Sequence, residues 1–490
     1  MMNRADNTFF LFNPFYAFIF LAVLALSVAL LATPYYTYAV IPAAAIFFIM
    51  CIGHYPKFGF YLIVFMIPFG EYGGLTKAYK YLTISKFVGV LLVVLIAVQM
   101  VLSRWGRFSI KSKLWLPLAL LMSVSLVSTL LSDYPATSAD NLRRLFMAYV
   151  FVFLALVFVT EEGFKKTYPA VLTASMVISA VLAVAGYVFN ISLFAVNIDT
   201  GSIKRATGGT VDPNIFSALL IFALPFLVHR FLHPKKGTDK ALMLASIAAT
   251  VAAIVLTFSR GGALVLAITL VLLFVEHVRR LRPNHMGFYT LTAMVILLAM
   301  LFVMPASYWE RQKSVTDTSS RSIGRRISYL FVGWEAVKAN PVVGSGPGTF
   351  MEHYAQTGYA MSFLQKEDTV RRHAHNTYLE VLTGTGALGL LFYLAACVLS
   401  FKNFLSARRK FSRLGDKEMA SLSGAYLMAF VSLLIYLLIV SITYHKFFWI
   451  SLALSQVALN AATAAEERKE SEKEPGKEPG KEPNDAAVVN

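Results

Sequence analysis

The residues best suited to chemistry in this chain lie between Arg371 and Gly389, in the run RRHAHNTYLEVLTGTGALG. Two arginines, Arg371 and Arg372, precede His373 and His375, and Asn376 and Tyr378 follow. An imidazole exchanges a proton near neutral pH, while a guanidinium stays charged and presents a fork that matches phosphate oxygens. Read as a helix already under way after residue 370, the run puts Arg371 and Arg372 four and three residues before His375, all on one face. Such a face would bind a diphosphate and deprotonate a nucleophile. The same cations also suit a segment that only marks a membrane surface, and both readings stand on this stretch alone.

Neighbouring motifs narrow the chemistry. His373 and His375 have no nearby Asp or Cys constellation, whereas catalytic zinc takes three protein ligands, so no metal is expected. Gly384, Gly386 and Gly389 formally match a dinucleotide fingerprint but lack the preceding strand that the fingerprint requires. Close helix packing by small residues is the expected role. Val343 to Phe350, VGSGPGTF, lacks the lysine and following helix of a phosphate-binding loop. It reads as a tight turn that aims a long loop back at the membrane.

Further arginines stand in other blocks: Arg205 in KRATGGTVDPN, which also holds Asn214, Arg260 in TFSRGG, and Arg321, Arg325 and Arg326 in SSRSIGRRISY. In the orientation argued below they fall on the side that the positive-inside rule empties of basic residues. Cations kept there suit an anionic ligand, with a structural role for each as the alternative.

The elements that must position these groups follow from composition. A chain of 490 residues that is 57% hydrophobic and only 14% charged is a polytopic membrane protein of all-α class. The net charge of +17 is scattered over short loops rather than gathered on a soluble domain, which argues against nucleic acid as partner. Cys51 and Cys397 both lie in apolar runs and read as packing residues. At about 20 apolar residues per span, about fourteen transmembrane helices are expected. They fall near 11–32, 36–53, 58–70, 84–103, 114–132, 144–160, 168–189, 214–232, 240–258, 261–277, 287–305, 385–404, 420–440 and 447–464.

With the N-terminus in the cytoplasm, loops such as RWGRFSIKSK, HRFLHPKKGTDK and KNFLSARRKFSRLGDKE lie inside, and both termini are cytoplasmic. Two external loops are then long, at 190–213 and 306–376, and loops of that length are usually functional. The second carries enough aromatic residues for a small extracytoplasmic subdomain. Its segment 322–339 reads as an amphipathic helix stopped by Asn340-Pro341. Residues 1–465 read as one membrane domain, and the Lys-Glu-Pro-Gly tail at 466–490 as disordered and cytoplasmic. Apart from that tail no internal repeat is evident.

Taken in order, these blocks resemble the O-antigen ligase and polymerase superfamily of bacterial membrane glycosyltransferases. The resemblance rests on Arg205, Gly208 and Asp212-Pro213-Asn214, on Thr257-Phe-Ser-Arg260-Gly-Gly, and on Arg326 followed by Trp334 and Pro341 to Phe350. It ends with His375-Asn376-Thr-Tyr378-Leu379 leading to Gly386-Ala-Leu-Gly389. The resemblance covers roughly residues 200–395. It implies catalysis by His375 and engagement of an undecaprenyl diphosphate-linked glycan by Arg205, Arg260 and Arg326, in the bacterial inner membrane with a periplasmic site. It further implies that neither a cofactor nor a metal is needed. Arg371 and Arg372 join the diphosphate-binding set on geometry, with Asn214, Asn376 and Tyr378 in support.

The expected reaction transfers the glycan to an acceptor hydroxyl of lipid A-core, with inversion at the anomeric carbon. Polymerisation of O-antigen or exopolysaccharide repeat units is the near alternative, with O-linked protein glycosylation behind it. A lipid-linked glycan transporter is the alternative from another class. A transporter should place ionisable groups or broken helices near the bilayer midplane, whereas most of the basic residues here fall at the outer rim.

Overall fold

A computed structural model of the chain describes residues 14–33, 40–70, 83–101, 111–198, 203–234, 236–278, 321–362 and 370–473. The chain divides into two compact units, one of residues 1–63 with 85–107, the other of 64–84 with 108–490. The first holds α1 (Pro14–Leu31), α2 (Val40–His54), most of α3 (Pro56–Phe65) and α4 (Ile84–Val101). Ile52, Phe60, Val88 and Leu92 are buried there. Gly59 brings α3 close to α2, since a Cβ at that position would stand 3.0 Å from the Ile52 side chain.

The second unit contains the candidate site residues. Its elements are α5 (Trp115–Leu130), α6 (Pro135–Phe158), a π-turn at Gly163–Thr167, α7 (Tyr168–Val188), strands β1 (Ala195–Ile198) and β2 (Ile203–Ala206), α8 (Pro213–Leu232), α9 (Gly237–Leu256) and α10 (Arg260–Val278). After them come α11 (Arg321–Ala339), short α12 (Phe350–Ala355) and α13 (Gly358–Ser362), then α14 (Thr377–Leu414), α15 (Lys417–Tyr436) and α16 (Lys446–Lys473). Among the described residues seven helices are long and apolar enough to cross a membrane: α6, Gly163–Val188, α8, α9, α14, α15 and Lys446–Glu472. The protein is an all-α polytopic membrane protein with one antiparallel hairpin added, in which Val196 pairs with Arg205. The helices α3 and α5 are apolar but shorter, and the expected span at 287–305 lies outside the described residues.

The core of this unit is aromatic. Phe164 stacks on Tyr426 with ring centroids 4.3 Å apart, and Phe226 meets the same ring edge-on at 4.7 Å. Tyr393 stacks on Phe448 at 5.4 Å, tying α14 to α16. Such rings supply large apolar burial with preferred geometry, and they hold the π-turn and α8 against α15, and α14 against α16.

Three boundaries differ from the sequence expectation. Pro135 opens α6 nine residues ahead of the expected span start at 144, taking up most of the expected loop after Ser132. Asp140 pairs with Arg143 at 2.6 Å and Arg144 at 2.8 Å one turn on, which supports that early start. The helix α16 runs to Lys473, past the boundary placed at 466, with Lys410 bridging Glu466 at 2.7 Å and Arg468 bridging Glu161 at 2.6 Å. The rest of the tail lies outside the described residues.

The third difference concerns the glycines after Thr383. The backbone of α14 breaks at Gly386, with φ 65° and ψ −169°. Into this break docks the turn after α11: Ala387 N–H donates to Pro341 O at 2.9 Å, Ser345 N–H to Thr383 O at 2.9 Å and Gly346 N–H to Gly384 O at 2.9 Å. A Cβ on Gly386 would sit 2.2 Å from Val342 O, and one on Gly344 2.5 Å from the backbone of residues 384–386. Gly384, Gly386 and Gly344 therefore serve backbone docking of a loop on a broken helix rather than packing of helix on helix. The expected tight turn at 343–350 is present and aimed at α14.

Candidate active site

The helix α14 starts later than the arginine argument requires. Asn376 has extended backbone, φ −151° and ψ 109°, and its side chain accepts from Leu379 N–H at 3.1 Å, which makes it the N-cap. His375, one residue earlier, adopts φ 50°. A side-chain-bearing residue in this left-handed region costs on the order of 1–2 kcal/mol, so neighbouring bonds must hold the turn. Downstream, Thr377 N–H donates to Leu437 O at 2.8 Å, Thr377 Oγ1 to Val440 O at 2.7 Å and the Tyr378 hydroxyl to Leu434 O at 2.9 Å. Upstream, Glu380 Oε1 accepts from Ala374 N–H at 3.0 Å and lies 2.9 Å from His373 Nδ1.

Residues 371–374 are not helical, so the single face predicted for Arg371, Arg372 and His375 does not form. The cap at Asn376 and the left-handed His375 end helical geometry before it can reach the arginines. Arg371 is exposed and reaches α12, where its Nε lies 2.8 Å from Glu352 Oε2. Arg372 hydrogen-bonds the Tyr329 side chain of α11.

The tyrosine also links α11 to the histidine. Tyr329, Val332, Phe350, Tyr354, Ala360 and Ala374 form a small hydrophobic core, with Val370 and Leu379 against it. The Tyr329 ring lies 6.0 Å from that of His375 at a 33° tilt. Of the aromatics in segment 306–376, Phe350 and Tyr354 are in this core, Trp334 is 58% and Tyr359 44% exposed, and Tyr308, Trp309 and Phe363 lie outside the described residues.

A second cluster joins blocks far apart in sequence. Arg205 on β2 is buried, and it donates through Nε to Thr257 O at 2.6 Å and through Nη2 to Asn214 Oδ1 at 3.2 Å. That same Asn214 oxygen accepts from Ser259 Oγ at 2.8 Å, while Asn214 Nδ2 donates to Asp212 Oδ1 at 2.9 Å. Asp212 in turn caps α8 through Asn214 N–H at 2.7 Å. Ser259 lies 3.3 Å from the Tyr436 hydroxyl and accepts from Gly262 N–H at 3.0 Å. Arg260, the first residue of α10, follows directly and is partly buried.

Charge connects the two clusters. Asp212, Arg326, Glu380 and His373 all act on the half-buried His375. Burial pushes the His375 imidazole below its ordinary pKa; Asp212 opposes the shift and Arg326 reinforces it. For His373 partial burial works in the same direction, but the hydrogen bond and charge of Glu380 outweigh it and the pKa is raised. At neutral pH His375 is therefore neutral, with a lone pair able to accept a proton, beside a more basic His373. Arg326 is exposed at the N-terminal end of α11, and no side-chain placement is described for Arg321.

Sequence reasoning quoted Asp212 without a role and passed over Glu380, Glu352 and Tyr436. A signal existed for Glu380, since a lone carboxylate in an apolar helix is a marker of function. Arg144, whose charge reaches His373, stood at the first residue of an expected span and was given no role. Among the described residues no group of three or more His, Cys, Asp or Glu gathers as a metal site.

Fold and site together define a helical membrane protein with His375, preceded by Arg371 and Arg372, just ahead of a long, broken helix. Residues 245–394 match the family model described as O-Antigen ligase, a match that supports the O-antigen ligase/polymerase superfamily. The matched segment contains Arg260, Arg326, Arg371, Arg372 and His375; Arg205, Asp212 and Asn214 precede it. That family is made up of glycosyltransferase-like ligases and polymerases, which supports an enzyme acting on lipid-linked glycans and acceptors in general. No curated protein matches the chain.

Proposed function

We propose that the protein is an O-antigen ligase that moves a glycan from undecaprenyl diphosphate to a hydroxyl of lipid A-core. The observation that carries this reading is His375, held in a left-handed turn beside the Tyr329 ring, with burial lowering its pKa and the charges of Asp212 and Arg326 acting on it, within the family-matched segment.

In the proposed reaction His375 takes the proton from the acceptor hydroxyl, a role that typically contributes about 10² to 10⁴ in rate. The hydroxyl oxygen attacks the anomeric carbon, and the bond from that carbon to the diphosphate oxygen breaks. Attack opposite the leaving group inverts the configuration. Arg205, Arg260 and Arg326 offset the negative charge that builds on the departing diphosphate. Arg371 and Arg372 border the same turn and serve as outer contacts. Asn376 and Tyr378 support the site by fixing the start of α14, and Asn214 by ordering Asp212 and Arg205. Neither metal nor nucleotide sugar takes part.

The same reading places about fourteen spans in the bacterial inner membrane, with both termini cytoplasmic and the site periplasmic. The alternation of basic and basic-poor loops supports this orientation. Residues 1–465 then act as one catalytic domain, with segments 190–213 and 306–376 external and the tail cytoplasmic.

Purified protein supplied with lipid diphosphate-linked glycan and with either lipid A-core or a second repeat unit tests the assignment. Product on lipid A-core supports the ligase, and elongated glycan supports a polymerase instead. No product with either acceptor, together with movement of the donor across vesicles, would assign a transporter and end the proposal. Transfer that persists at the wild-type rate in folded His375→Ala would remove the histidine from the mechanism.

A further inference from the structure

Glu380 has no part in the proposed transfer, yet its bonds point at the histidine. It stands four residues after the N-cap Asn376 and is 9% exposed. A carboxylate three residues after the cap would reach back to the cap's own N–H; position three here is Leu379. One residue further on, Glu380 reaches past the cap, and Oε1 receives both Ala374 N–H at 3.0 Å and His373 Nδ1 at 2.9 Å. Its other oxygen, Oε2, lies 3.5 Å from Thr443 Oγ1 on the segment between α15 and α16.

The residues so held, His373 and Ala374, immediately precede His375 with its φ of 50°. On the other side of the turn, Asn376 and Thr377 are anchored to Leu379 N–H and to the carbonyls of Leu437 and Val440. His375 is thus the one unclamped residue between two clamps. A strained backbone conformation persists where its surroundings over-determine it, and Glu380 is the upstream half of that determination. Ala374 is buried in the core that contains Tyr329, so the same carboxylate also fixes the turn relative to the ring beside His375.

We infer that Glu380 is a positioning residue that clamps the 373–374 backbone from inside α14 and thereby aims the His375 imidazole at the acceptor hydroxyl. This rests on the assignment of His375 as general base. It does not make Glu380 a catalytic residue, because its contacts are to the turn and not to reacting groups.

The test uses full-length protein in nanodiscs, comparing wild type, Glu380→Ala, Glu380→Gln and His373→Ala. Two measurements run in parallel: steady-state transfer across pH, and carbethoxylation of His375 followed by peptide mass, which reads the accessibility and protonation of the imidazole without any turnover. Glu380→Ala should lower kcat by about 10² with the donor KM within about threefold, a split expected when only a transition-state interaction is lost. It should also speed modification of His375 at neutral pH.

Glu380→Gln, whose amide oxygen still accepts from Ala374 N–H, should fall between wild type and alanine. His373→Ala, at an exposed position, removes one of the two bonds and should give a smaller change in the same direction, which covers the case of a poorly folding Glu380→Ala. Unchanged His375 modification in Glu380→Gln and His373→Ala would overturn the inference. Faster modification combined with full transfer by His375→Ala would keep the clamp and overturn the general-base assignment instead.

Discussion

Arg205 Nε and the Thr257 carbonyl oxygen lie 2.6 Å apart, with the guanidinium buried and its Nη2 also bonded to Asn214. The arginine is a fastener between the β-hairpin, the cap of α8 and the turn before α10, as well as a candidate donor contact. Hydrogen bonds to a charged group contribute about 1.5–3 kcal/mol each. Arg205→Ala should therefore lower thermal stability as well as transfer. Arg205→Lys retains the charge but not the fork, and should recover little of either. Unfolding curves in detergent alongside transfer assays measure both, and a fully stable Arg205→Ala would contradict the fastening role.

The depressed pKa of His375 sets a direction for pH dependence. Its folded-state value lies below the unfolded value of about 6.5, so the unfolded chain takes up the proton first. Its contribution to stability is complete above about 6.5 and declines as pH falls toward the folded-state value. Activity that needs the neutral imidazole should persist below pH 6.5 with an acid limb under that value. Asp212 raises the His375 pKa and Arg326 lowers it. Asp212→Asn should thus move the limb further acid, and Arg326→Gln should move it toward 6.5. Opposite movements in kcat/KM profiles would refute the assigned neighbours.

The glycines at the helix break should be intolerant for a reason that a control can isolate. Gly386→Ala and Gly344→Ala would each add a Cβ within 2.5 Å of backbone atoms at a positive φ. A loss of roughly 2 kcal/mol or more is expected from combined overpacking and strain. Gly415 also has positive φ, 81°, but nothing stands within 4 Å of its would-be Cβ. Gly415→Ala should cost only about 1 kcal/mol. Equal losses at all three would show that conformation alone, rather than docking of residues 341–346, explains the glycines.

The arginines should separate by position. Arg371 is 67% exposed at the side chain and pairs with Glu352, a kind of pair worth about 0–1 kcal/mol. Arg371→Ala should keep transfer within about threefold, whereas Arg260→Ala and Arg326→Ala should lose at least about tenfold if they stabilise the leaving diphosphate. A larger loss at Arg371 than at Arg326 would reverse that order.

Composition by itself established a helical membrane protein, because no soluble core could absorb so much apolar surface. Local rules also carried several elements: Asn340-Pro341 ended α11 at Ala339, and the three glycines from 344 to 348 formed a turn. His375 stood out as the histidine that precedes Asn376-Thr377-Tyr378-Leu379. Partnership between distant residues could not be read this way. Asp212, which caps α8, acts on His375 through its charge, Glu380 folds back across the start of its own helix, and Arg371 turns away to Glu352. Periodicity describes one helix at a time, and it misplaced the two arginines by assuming a helix that had not yet started. Where α14 begins, and what its break at Gly386 receives, depends on hydrogen bonds to residues 341–346 and 437–442, which only the packed chain brings together.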